Sequence, residues 1–172
     1  MKKIIVALAL FMAGFSAEAQ LKTPQSSPKT TIVQSVGLTD VEINYSRPSA
    51  RGRVVFGNLI PFGKVWRTGA NEANEISLFT DMYLGKTKVP TGIYTLYTIP
   101  TENECVIIIN KDRNVWGAYT YNEKNDVARL TVPVTLADEY LEALSMVFTK
   151  ADNGAVLNLG WNKVRLAIPF TK

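Results

Sequence analysis

Four arginines, Arg47, Arg51, Arg53 and Arg67, fall within one stretch of the chain, Tyr45–Glu75, which reads YSRPSARGRVVFGNLIPFGKVWRTGANEANE. The guanidinium group is the side chain best shaped for planar, bidentate recognition of carboxylate, phosphate or sulfate. Buried together, these arginines would need anionic partners. Asp40, Glu42, Glu72 and Glu75 lie near enough in sequence to supply them. The favoured expectation is therefore an internal arginine–carboxylate network that fixes a long loop, since such networks are common away from functional sites. The competing expectation is a pocket lined by the arginines, with Asn71 and Glu72 as polar readers and Gly57, Gly63 and Gly69 allowing tight turns around it. Within this pair of readings Arg67, beside Trp66 in a strand-like run, is expected to be structural. Arg51, between Ala50 and Gly52, is expected to be exposed.

Aromatic and acidic residues extend the question. Trp66 and Trp116 could each stack on a sugar ring, but their apolar neighbours favour the core for both. Tyr119 and Tyr121 have alternating register and could line the same surface as Trp116. Glu72 and Glu75 are the carboxylate pair inside the arginine-rich stretch, and glycoside hydrolysis needs such a pair. A turn in which Asn and Glu side chains bond local backbone amides explains GANEANE equally well. The chain has no histidine, which removes the Ser-His-Asp triad and most zinc sites. Asp112, Asp126 and Asp152 occur singly in turns without calcium-loop spacing. No metal and no cofactor are expected.

The elements that must position these groups read as strands. Lys2 and Lys3 precede an apolar run, Ile4–Phe15, followed by Ala17-Glu18-Ala19. This is the pattern of a secretory signal peptide over residues 1–19, too short to remain as a bilayer span. Residues 20–30, with Pro24, Pro28 and several Ser and Thr, read as a flexible leader. Residues 31–172 read as one domain of about nine or ten short strands, an all-β antiparallel sandwich with little helix, jelly-roll topology being one form it could take. Val41, Ile43 and Tyr45 share one strand face. Cys105-Val-Ile-Ile-Ile is apolar on both faces and reads as a central strand. Leu136–Phe148 fits either a helical stripe or a strand face; a short turn or helical start over Leu136–Glu139 followed by a strand is favoured. Asn162-Lys163 reads as a tight turn between the last two strands. Cys105 is the single cysteine, so no internal disulfide supports the fold, and its apolar setting marks a buried, inert thiol. The net charge of +4 is mild and spread along the chain, and does not argue for nucleic acid.

The strings YSRPSARGR, FGNLIPFGKVWRTGANEA, VPTGIYTLYTIP and WGAY resemble a family of exported bacterial proteins of unassigned function, the domain of unknown function numbered twenty-nine eleven, from about Ser27 to Phe170. The resemblance implies export, a single domain and a β-rich fold. It brings no activity and no catalytic residues. With the residues, it supports a secreted or periplasmic binding or accessory module, non-catalytic, for a small anion or acidic glycan. The candidate site residues are Arg47, Arg51, Arg53, Trp66, Arg67, Asn71, Glu72, Trp116 and Tyr119. The alternatives are a glycan-acting hydrolase using Glu72 or Glu75, and a partner-binding module that offers an exposed strand edge. Sequencing of the protein recovered from its native host is expected to begin at Gln20; full-length chain in the cytoplasm would overturn the export reading.

Overall fold

A computed structural model describes residues 23–172; the expected signal peptide and the first residues of the leader lie outside the described residues. Ten strands follow in order: β1 (Lys29–Val36), β2 (Thr39–Ser46), β3 (Asn74–Leu78), β4 (Met82–Leu84), β5 (Thr87–Val89), β6 (Gly92–Pro100), β7 (Glu104–Asn110), β8 (Asp126–Pro133), β9 (Thr135–Ala151) and β10 (Gly154–Thr171). They form a six-stranded sheet, β1-β2-β3-β6-β7-β8, and a four-stranded sheet, β5-β4-β10-β9. All strand pairings are antiparallel. The chain changes sheet only after β3, β5 and β8. Hairpins and meanders therefore carry the topology, rather than the strand-by-strand alternation of a jelly roll.

The main core lies between the sheets. Ile43, Ile76, Leu96, Ile107 and Ile109 come from the larger sheet, and Leu157, Leu159, Trp161, Ile168 and Phe170 from the smaller. A second, smaller cluster explains why β6 and β7 are apolar on both faces. Tyr97, Ile108 and Ala73 are buried on the far side of the larger sheet under Val65, Val115, Ala118 and Tyr121. The segment between β7 and β8 thus roofs that sheet, and the expectation of a doubly covered strand at Cys105–Ile109 holds.

Three expectations need correction. The leader ends earlier than residue 30, because Lys29 already pairs with Ser46. Leu136–Glu139 is neither turn nor helix: β9 runs unbroken from Thr135, with Leu136 opposite Val164 and Thr135 opposite Arg165. The buried face of Leu144, Met146 and Phe148 wins over the helical stripe, because β10 pairs with Ser145–Ala151 without a break. Asn162-Lys163 is no turn but part of a bulged stretch of the β9–β10 ladder, where the register shifts between Gly160 and Asn162 and again between Asn162 and Val164, the surplus residues lying on β9. Asn162 takes a left-handed φ of 51°. Side-chain parity in β10 inverts across this point, so that Leu157, Leu159 and Trp161 before it and Leu166, Ile168 and Phe170 after it all face the core. Arg165 Nη1 donates to the carbonyls of Asn162 and Val164 at 2.9 and 3.0 Å, satisfying acceptors that the bulge leaves free.

Cys105 is buried, and burial pushes its thiol up to about 12. The folded protein is expected to react slowly with a thiol reagent and the unfolded protein rapidly. Cys105→Ser is expected to lower the unfolding free energy by about 1–3 kcal/mol, since it places a hydroxyl in an apolar strand. Rapid labelling of the native protein would contradict this placement.

Candidate functional site

The segment that carries the arginines leaves β2 and ties the two sheets together before returning as β3. Pro48–Ala50 lies along β9: Leu144 N donates to Pro48 O at 2.9 Å and Ala50 N to Glu142 O at 2.8 Å. Trp66 then pairs with Thr98 of β6 through two backbone bonds of 2.8 and 2.9 Å. Between Trp66 and β3 the backbone turns twice into the left-handed region, at Thr68 (φ 60°) and Asn71 (φ 59°). A β-branched residue there is strained, and Thr68 is fully buried. Its Oγ1 lies 3.1 Å from Thr98 Oγ1, and its carbonyl accepts from Asn74 Nδ2 at 2.5 Å. Gly69 has no room for a side chain: a Cβ would stand 2.8 Å from Asn74 Oδ1 and 2.9 Å from the Ser46 carbonyl oxygen. Beyond it, Ala73 N donates to Val115 O at 2.9 Å and Gly117 N to Asn71 O at 3.2 Å. The RTGANEA turn is therefore where β2, β6 and the roofing segment meet.

The four arginines do not form the expected carboxylate network. Among the described residues, ion pairs join Lys88 to Asp81, Arg129 to Glu123 and Asp126, and Arg165 to Glu139; none involves Arg47, Arg51, Arg53 or Arg67. Arg47 is pinned to β9, its Nε donating to Leu144 O at 3.1 Å and Nη2 to Ser145 Oγ at 3.0 Å. Arg53 donates to the carbonyls of Ala50 and Ser49, both at 2.8 Å. Arg51 is exposed as expected; only its backbone amide meets a carboxylate, Glu142 Oε1, at 2.7 Å. Arg67 departs most from expectation. It is half-buried, and its Nε is enclosed without a hydrogen-bond partner among the described residues. Burial lowers its pKa below the usual guanidinium value, and nearby Tyr119 partly restores it.

Arg67 and Arg53 line one pocket of about 310 Å³ together with Trp66, Trp161, Gly69 and Ser27. Trp66 is core, as expected, at 6 % exposure. It stacks on Trp161 with ring centroids 5.9 Å apart and planes 21° apart, and Phe56 packs edge-on against both. Asn71 Nδ2 reaches Ser27 O at 3.5 Å beside this pocket. Trp161 and Ser27 belong to it only through tertiary packing; no local sequence signal could have found them.

Trp116 is not core. It is 61 % exposed and Tyr119 is 86 % exposed. The roofing segment is fastened from below by Val115, Ala118 and Tyr121. Tyr121 points inward, against the expectation that it shares the surface of Trp116. It meets Tyr97 edge-on at 5.2 Å, and its hydroxyl donates to Asp126 Oδ2 at 2.7 Å while accepting from Arg129 Nη2 at 2.6 Å. With those residues turned in, Trp116 and Tyr119 turn out. Gly117 accommodates the Tyr119 ring, whose Cε2 would stand 2.7 Å from a Cβ there.

Glu72 and Glu75 open elsewhere, into a groove of about 230 Å³ with Lys29, Asn44 and Asn114. Glu72 is exposed and pairs through its backbone with Trp116, so it does not serve the arginine pocket. Glu75 Oε1 accepts from Asn114 N at 2.9 Å.

Fold and site together define a two-sheet antiparallel sandwich with an arginine- and tryptophan-lined pocket. The chain belongs to the family of proteins of unknown function DUF2911, whose match spans residues 27–170 and so takes in nearly every strand. No curated protein and no solved structure matches the chain.

Because Arg67 has no carboxylate partner, Arg67→Met, which keeps an apolar stem, is expected to change the unfolding free energy by less than about 1 kcal/mol or to raise it. Arg47→Ala, which abandons two bonds to β9, is expected to lower it by about 1–3 kcal/mol. Denaturant unfolding of the two variants checks both; a large loss in Arg67→Met would restore the buried-network view.

Proposed function

We propose that this protein is an exported, non-catalytic binding module whose pocket between Arg53, Arg67 and the Trp66–Trp161 stack takes a small anion or the acidic group of a glycan. The observation that carries this reading is the half-buried Arg67 guanidinium, whose Nε has no partner among the described residues. An enclosed, unpaired cation is unfavourable, and a carboxylate or sulfate entering the pocket would supply the missing acceptor in a charge-assisted, bidentate geometry. A volume of about 310 Å³ lies at the lower end of small-molecule sites. The exposed ring of Tyr119, which acts electrostatically on Arg67, offers an apolar face of the kind that sugar rings stack on. Export rests on the amino-terminal pattern of residues 1–19. The hydrolase alternative has less support, because Glu75 is engaged by the Asn114 amide and Glu72 opens away from the arginines.

Titration calorimetry with sulfate, glucuronate and glucose tests the proposal on wild type, Arg67→Met and Arg51→Ala. Glucuronate is expected to bind and glucose not, with affinity falling as salt rises. Arg67→Met is expected to bind roughly 10- to 150-fold more weakly, the range for losing a hydrogen bond to a charged group, and Arg51→Ala to bind as wild type does. Equal affinity for glucose, or equal losses in the two variants, would refute the anion site.

A further inference from the structure

On the other side of Phe56 a second cavity of about 270 Å³ enters the sandwich where the β6–β7 turn and the β8–β9 crossover leave the sheets apart. Cys105 and Leu166, both buried, line it together with Phe56, Phe62 and Val164. Leu136 stands at its rim 76 % exposed and Phe62 37 % exposed, an apolar exposure left uncovered by the described residues. The polar side chains of the lining belong to Thr101 and Glu102 in the β6–β7 turn. Thr101 Oγ1 is already committed, donating to Glu104 O at 2.8 Å and accepting from Glu104 N at 3.1 Å. Glu102 is exposed, and no ion pair engages it among the described residues.

We infer that this cleft binds the hydrocarbon chain of an amphiphile whose head group is neutral or cationic. The walls offer nothing to a ligand that must hydrogen-bond along its length, so a sugar or peptide would lose its water contacts uncompensated. An alkyl chain loses none and gains burial. The uncompensated carboxylate of Glu102 at the mouth disfavours an anionic head. The site is separate from the arginine pocket: Phe56 borders the cleft, and Trp66 and Trp161, which it touches at ring-centroid distances of 6.0 and 6.3 Å, border the other. Tryptophan emission therefore reports on occupancy of the cleft without requiring the anion site.

The test is a fluorescence titration with 1-alkanols from hexanol to dodecanol, below their solubility limits. A saturable one-to-one change is expected, with affinity rising about fourfold per methylene, as burial of each CH₂ dictates, and then levelling once the chain outgrows the cleft. Decanoate is expected to bind more weakly than decanol or decyltrimethylammonium, and Glu102→Gln to narrow that gap. Val164→Phe, which fills the cleft from a partly buried position, is expected to abolish the response, and Arg67→Met to leave it unchanged. Absence of saturation, or unchanged affinity in Val164→Phe that melts as wild type does, overturns the inference. Should Val164→Phe fail to fold, Leu136→Asp at the exposed rim decides: a tenfold or greater loss supports the cleft and an unchanged affinity overturns it. Sedimentation with phosphatidylcholine vesicles, relieved by decanol, would identify membrane lipid as the source of the chain; alkanol binding without sedimentation would identify a free amphiphile.

Discussion

The stacking of Trp66 on Trp161 joins two parts of the chain that have nothing in common locally. Trp66 sits in the loop between β2 and β3, and Trp161 in the middle of the last strand. Their contact holds the arginine-bearing segment against the smaller sheet, and it depends on register. Trp161 occupies the last inward position before the parity of β10 changes. Without the parity change at Asn162, either the Leu157–Trp161 half or the Leu166–Phe170 half of the strand would face solvent. Glu142 reinforces the junction: its carbonyl accepts both the Trp161 indole N–H at 3.0 Å and the Ala50 amide at 2.8 Å, and its carboxylate takes the Arg51 amide. One residue of β9 thus fixes the start of the arginine segment and the tryptophan that the segment packs on.

At the other end of that segment the chain accepts strain. A buried threonine in the left-handed region costs about 1–3 kcal/mol. The bonds from Asn74 to its carbonyl and between its hydroxyl and Thr98, each contributing on the order of 1 kcal/mol, offset that cost and leave the turn in one conformation. The consequence is positional. Arg67 immediately precedes Thr68, and Asn71 closes the turn against the roofing segment, so the guanidinium is aimed by backbone geometry rather than by an ion pair.

Much of the fold was legible because it obeys the two-residue period of a strand. The Val41–Tyr45 alternation and the doubly apolar Cys105–Ile109 run can be read directly. Failures arose where tertiary pairing overrides local signals. Asn162-Lys163 resembles a turn because a bulge also breaks alternation. Leu136–Glu139 looks helical until a partner strand is known. Of the site, the clustering of arginines was visible, but what each one touches was not: Arg47 and Arg53 found backbone carbonyls, acceptors that no composition argument weighs against carboxylates. Trp116 misled for a related reason. Its neighbours are apolar because they, and not it, fasten the roofing segment to Tyr97 and Ile108.

Phe56, Trp66 and Trp161 form a wedge between two unlike cavities. On one side the lining includes two guanidinium groups; on the other it is almost wholly apolar. Charges in a low-dielectric setting act over longer distances than in water, and water or ions entering an apolar cleft would weaken the burial that stabilises the sandwich. Three interlocked rings, close-packed as interiors are, keep the two environments apart without an internal disulfide. The parity change that keeps both halves of β10 on the core therefore lets one small sandwich carry a polar pocket and an apolar cleft within a few side chains of each other.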